Sequence, residues 1–214
     1  MMENQSEVID HRWLGRMGYA DALDLQETQV RRRGAGEVPD TVFFLEHNAV
    51  YTIGKRPDQS SLGERSLPHP VVEISRGGQA TYHGPGQLVV YPVLDLRNYG
   101  QDLHRYLRAL EDSVIAASRA MGISARRRDG LTGAWVADRK LASIGIGVKR
   151  WISMHGVAIN IGGDLSPFAQ ITPCGIQGVT MTSLEQELGA KMSVERAART
   201  FWPHFEQSLR RLHV

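Results

Sequence analysis

Cysteine is almost absent. Cys174 stands alone in 214 residues, so no intramolecular disulfide can form, and the chain suits a reducing compartment, which points to the cytoplasm. Long apolar runs are missing as well: no stretch approaches the ~20 residues that span a bilayer, and the opening MMENQSEVIDHRW has no basic flank followed by an apolar run. Neither a membrane segment nor a secretory signal is expected. GxGxxG and GxxxxGK[ST] do not occur, which removes the phosphate-cradling loops, and no His and Cys cluster has the spacing of a metal site. The basic runs, Arg31 to Arg33, Arg126 to Arg128 and Lys149 with Arg150, are scattered and not interleaved with stacking aromatics, so nucleic acid is not an expected partner. On a chain of formal charge +2 these runs are either solvated element ends or a docking surface for an acidic protein.

What remains is an ordinary globular composition, 42% apolar and 22% charged, long enough to bury a proper core. No linker rich in Pro, Gly and Ser divides the chain, so residues 1–214 are expected to form one domain.

Tyr19, Ala22, Leu23, Gln26 and Val30 mark one face of a helix that runs into the arginine triplet and stops near Gly34. Thr41 to Leu45, Val50 to Ile53 and Val71 to Ile74 read as short strands, and Thr81 with Tyr82 as a shorter one. Leu88 to Leu94 is apolar but holds Pro92, which predicts an edge strand or one broken there, because proline cannot donate to a ladder. Leu103, Leu107, Leu110, Val114, Ala117 and Met121 form the strongest helical stripe, ended by Gly122. Leu131 to Ala137, Lys140 to Val148 and Ile152 to Ile161 predict three consecutive antiparallel strands, turning at Asp138 with Arg139 and at Lys149 with Arg150. Thr182 and Ser183 open a short helix by capping box. A last helix from about Ser193 presents Val194, Ala197, Phe201, Phe205, Leu209 and Leu212 on one face, and Pro203 should kink or split it. Strands outnumber helices and gather into hairpins, so the fold class is α+β.

Two segments carry chemistry. RGGQATYHGPGQ, residues 76 to 87, sets Gly77, Gly78, Gly84 and Gly86 between apolar strands, a costly arrangement suited to close approach of backbone to a ligand, with Arg76 and His83 as the polar groups on offer. The alternative is a pair of ordinary tight turns around a hairpin. The second segment is ITPCGI, residues 171 to 176. A lone cysteine is usually a small buried hydrophobe, but Pro173 and Gly175 place this thiol on an irregular loop, where a nucleophile can be presented. Only a thiolate attacks acyl carbons, so a cationic neighbour is needed, and Lys140, His83 and His155 are the candidates.

The segments RGGQATYHGPGQLVVYPVLDL (76 to 96), RKLASIGIGVKRWISMHGVAINI (139 to 161) and DLSPFAQITPCGI (164 to 176), in this order, resemble the lipoyl(octanoyl) transferase family, as does the earlier EHNAVYTIGKR (46 to 56). The resemblance implies a two-layer mixed β-sheet with packed helices, similar to the catalytic domain of biotin and lipoate protein ligases. It implies that an octanoyl group moves from octanoyl-acyl carrier protein to a lysine of lipoyl domains, through a cysteine thioester, as the first step of endogenous protein lipoylation. The acceptors so implied are the lipoyl domains of 2-oxoacid dehydrogenase complexes and the glycine cleavage H protein. Cys174 becomes the nucleophile and Lys140 the group that favours its thiolate. Arg76, Gly77, Gly78, Gln79, Ala80, Thr81, Tyr82 and His83, with Ser143, Ile144, Gly145, Gly156, Val157 and Ala158, become the acyl pocket. No cofactor, metal, nucleic acid or membrane is implied, and a monomer is expected.

Overall fold

The computed structural model describes residues 9–54, 59–63 and 66–213, so Lys55 and Arg56 of the 46 to 56 motif and the first eight residues lie outside it. The elements run β1 (Asp10–Met17), α1 (Tyr19–Gly34), β2 (Thr41–His47), β3 (Val50–Gly54), β4 (Val71–Ile74), β5 (Thr81–His83), β6 (Gln87–Val93) and α2 (Leu103–Ala120). They continue β7 (Ala125–Arg128), β8 (Leu131–Val136), β9 (Arg139–Lys149), β10 (Ile152–Asn160), β11 (Thr180–Met181), α3 (Leu184–Leu188) and α4 (Val194–Arg210). A large sheet has the order β1-β2-β6-β10-β9-β8-β7, with β11 added beside β9, and a small sheet has the order β4-β3-β5. Both are mixed, since β1 with β2 and β3 with β4 are parallel while β6, β8, β9 and β10 pair antiparallel.

Period-two alternation builds two layers on the large sheet. Val42, Phe44, Leu88, Val90, Val157 and Ile159 face one side, where they meet Leu110 and Val114 of α2 and Phe201 and Phe205 of α4. Their neighbours Phe43, Leu45, Val89, Tyr91 and Ala158 face the other side, against Ala22 and Val30 of α1. The small sheet lies on this second side through Val50 and Ile74, which pack with Tyr19. Burial of side chains this size is worth about 1.5–3 kcal/mol each. Among the described residues no helix is long and apolar enough to cross a membrane.

The antiparallel run β8, β9, β10 forms as the alternation predicts, with each turn one residue off the expected place. Ala137 and Asp138 make the first. Arg150 and Trp151, both left-handed at φ 51 and φ 68, make the second. Ser183 caps α3 by accepting from the Gln186 amide, and Asp102 caps α2 through the His104 and Arg105 amides. In α2 the buried stripe starts at Tyr106, for Leu103 is 38% exposed.

At its two prolines the chain departs from part of what was expected. The strand holding Pro92 is not an edge: β6 lies between β2 and β10, deep in the sheet. Its ladder with β10 covers only Gln87 to Val90, and beyond it the Ser153 hydroxyl donates to Pro92 O at 2.8 Å and accepts from Leu94 N at 3.0 Å. A side chain thus takes up the Pro92 carbonyl and the Leu94 amide where the ladder stops. Helix α4 runs unbroken through Pro203, which is on its exposed side, where water can satisfy the displaced carbonyl. Strands β1, β7 and β11 were not expected. Charged residues fill β1 and β7, and β11 is two residues long, so none shows a clear alternation.

Candidate active site

The nucleophile loop is a single tight turn, Pro173–Gly175, in which Cys174 is held at φ 56 and ψ 19, a conformation that costs a non-glycine residue about 1–2 kcal/mol. The cost is met by fixing bonds. The Cys174 amide donates to Ala80 O at 2.8 Å, tying the loop to the glycine-rich segment, and the Thr172 amide donates to Ser61 O at 2.7 Å. The thiol is half-buried, and its Sγ lies 3.7 Å from Ser143 Oγ on β9.

Lys140 is three residues before Ser143, which in a regular strand would put the two on opposite faces. The β8 and β9 register shifts here: Trp135 faces Lys140 and the next β8 residue, Ala134, faces Ala142, so β9 carries one extra residue. This bulge turns Lys140 back to the side of Ser143 while Leu141 and Ala142 stay in the core. Lys140 is only 1% exposed, and its ammonium lies 5.3 Å from the Trp135 ring centroid. Among the described residues no carboxylate pairs with it.

One cavity of about 380 Å³ between the small sheet and the large one receives both groups. Of the fourteen residues expected to line an acyl pocket, twelve do: Arg76 to Gln79, Thr81, His83, Ser143 to Gly145 and Gly156 to Ala158. Ala80 and Tyr82 do not. They are the outward-alternating residues around β5 and pack with Tyr51, Ile53, Phe168 and Ile171 on the far side of the small sheet. Gly145 gives Arg76 its place, since a Cβ there would stand 3.2 Å from Arg76 Cδ. Gly78 adopts φ 92, open to glycine and strained for others.

The wall also holds residues outside the expected set, notably Tyr19, Val89, Tyr91 and Ile176. Val89 and Tyr91 were findable, because strand periodicity puts them on the face shared with Ala158. Tyr19 and Ile176 had no local signal.

The polar end is ordered by one directional chain of hydrogen bonds. Asn160 Nδ2 donates to Thr182 O at 3.0 Å, so its Oδ1 accepts from Gln87 Nε2 at 3.0 Å. Gln87 Oε1 then faces His83 Nδ1 at 2.7 Å, which must carry the proton, leaving Nε2 to accept from the Thr52 hydroxyl at 3.4 Å. Arg76 closes the chain, donating to Thr52 Oγ1 and Thr52 O, both at 3.0 Å, and to Gly77 O at 2.9 Å. Burial pulls the Arg76 pKa down while the charges of Cys174, Tyr19 and Tyr91 hold it up.

The histidine candidates for a cationic neighbour are removed by their surroundings. Burial, then the charge of His47, brings His83 down to about 3, and burial, then Arg76, brings His155 to about 4, so both rings are neutral at pH 7. His155 is at φ 59, and its amide donates to Gln26 Oε1 at 2.7 Å. Lys140 is the candidate left among the three. Among the described residues no group of three or more His, Cys, Asp and Glu is placed to hold a metal.

The mixed sheet with packed helices is similar in fold to the catalytic domains of lipoate and biotin protein ligases. Lipoate-protein ligase A bound with ATP superposes with a TM-score of 0.73 at 14% identity, covering 94% of this chain and 86% of that one. The biotin protein ligase of Aquifex aeolicus superposes at 0.56 and 12% identity, covering 96% and 71%. Residues 18–206 match the family model of the lipoyl protein ligase A/B catalytic domain. The octanoyltransferase of Geobacter sulfurreducens is 50% identical over 184 residues, 86% of this chain and 77% of that protein. The chain belongs to the lipoyl protein ligase A/B catalytic domain family, among its octanoyltransferases, and is an acyl-transferring enzyme.

Proposed function

We propose that the chain works as one cytoplasmic catalytic domain that takes octanoyl from the thioester of an acyl carrier protein onto Cys174 and passes it to a lysine amine of a lipoyl domain. The observation that carries this reading is the opening of Cys174 and Lys140 on one cavity with no histidine cation to compete. The Lys140 ammonium favours the Cys174 thiolate. The thiolate adds to the acyl carbon and the carbonyl π pair moves to oxygen. Collapse breaks the carrier C–S bond, and the departing thiolate takes a proton from the lysine. In the second half the acceptor amine adds to the acyl-enzyme, gives its proton to the now neutral lysine, and expels Cys174. The thioester already supplies activation, so no nucleotide or metal has a step.

Twelve residues of the expected pocket border the cavity, which supports a site for an unbranched chain, where burial of six methylenes is worth up to about 5 kcal/mol. The test is intact mass spectrometry after mixing with octanoyl carrier and no ATP. An octanoyl adduct lost in Cys174→Ser, and product on added lipoyl domain, are expected. Product formed only when ATP is supplied would return the chain to a ligase reaction.

A further inference from the structure

Acyl transfer puts charge on the carbonyl oxygen, and the donors that meet it are commonly main-chain amides beside the nucleophile. Here those amides are engaged. Besides the Cys174 bond to Ala80, the Gly175 amide donates to Thr172 O at 2.9 Å and the Ile176 amide to Pro173 O at 3.0 Å. Across the cavity the Gly77 amide is bound to Ile146 O at 3.2 Å and the Ala80 amide to Ser61 Oγ at 3.0 Å.

Thr81 is the opposite case. It is 5% exposed, it lines the cavity with Cys174, and its Oγ1 has no hydrogen-bond partner among the described residues. It directly follows Ala80, whose carbonyl holds the Cys174 amide, so hydroxyl and thiol are carried by one hydrogen-bonded unit. Leaving a buried hydroxyl unpaired carries the full desolvation penalty of the group. Valine would fill the same space without that cost.

We propose that the Thr81 hydroxyl is the side-chain donor to the octanoyl carbonyl oxygen, an inference that rests on Cys174 being the acyl acceptor. As the Cys174 C–S bond forms and the π pair moves onto oxygen, Thr81 Oγ1–H strengthens a hydrogen bond to that oxygen. It keeps its proton, and the bond weakens again when the carrier thiolate leaves.

The test is the single-turnover rate of acyl-enzyme formation from octanoyl carrier, read by quenched mass spectrometry beside urea unfolding of each variant. Thr81→Val is expected to acylate on the order of 10²-fold more slowly, with carrier affinity unchanged and a midpoint equal to or above that of the parent. Thr81→Ser should recover the rate to within about tenfold. Should the valine variant fail to fold, Thr81→Ala against Thr81→Ser makes the same comparison. Acylation by Thr81→Val near the parent rate overturns the proposal, and so does a serine variant as slow as valine. So does a Ser143→Ala variant that alone carries the loss. Adduct formation by Cys174→Ser at the parent rate would instead sink the underlying cysteine reading.

Discussion

The ammonium of Lys140 lies 5.3 Å from the ring centroid of Trp135, and both residues are buried. A buried cation with no acid partner among the described residues is expensive unless something stabilises it, and an aromatic face contributes about 2 kcal/mol when desolvated. Lys140→Met keeps the length of the side chain and removes the charge. We expect acyl transfer to fall by on the order of 10²-fold or more while the urea midpoint holds or rises. A variant that loses stability in proportion to activity would make Lys140 a structural residue.

Gly145 leaves room for the Arg76 arm, because a Cβ there would also stand 3.2 Å from Gly77 O. Gly145→Val is expected to displace the guanidinium and slow acylation about tenfold or more, equivalent to ~1.4 kcal/mol of barrier. Single-turnover rates measure it. Parent rates in the valine variant would mean that Arg76 can leave its bonds to Thr52 without consequence.

How far the site was legible follows from the kind of signal each residue gave. Cys174 and Lys140 were singled out by motif resemblance, and both open on the one cavity. Tyr82 and Ala80 lie off the cavity because a contiguous motif does not say which residues of a short strand point inward, and the pleat sends Tyr82 to the cluster around Phe168. Pro92 suggested an edge because it brings no N–H to a ladder, whereas inside the sheet Ser153, 61 residues away, takes up the Pro92 carbonyl and the Leu94 amide. The arginine run at 126 to 128 was legible as charge but not as pairing. Arg127 is bound to Glu111 at 2.9 Å and Asp112 at 2.6 Å, so part of the run is neutralised within the fold.

Gln26 is buried on α1 and accepts the His155 amide at 2.7 Å, just where the left-handed backbone at His155 distorts β10. Gln26→Leu leaves that amide unpaired, and the expected loss is about 1–3 kcal/mol by urea unfolding. An unchanged midpoint would show that water or a backbone shift satisfies the amide.

His47, His83 and His155 take values of about 4, about 3 and about 4 in the folded protein against 6.5 when free. Burial is the first cause in each, and His47 and His83 stand 5.7 Å apart, ring to ring. Between pH 6.5 and 4 the unfolded chain binds the protons that these rings refuse, so stability is complete above about pH 6.5 and falls with acidification. At pH 5 each ring accounts for on the order of 2 kcal/mol, not additive across neighbours. Asp95, Asp102 and Asp164, whose pKa values lie below 3.8, lose their contribution only at lower pH, so they do not share the window. Thermal melts from pH 7 to 5 should therefore show a falling Tm, and the fall should be shallower in His83→Gln, which removes one of the three rings. A level Tm over that range would mean that the buried rings accept protons in the folded state, and with them the cavity would hold positive charge where an alkyl chain is proposed to lie.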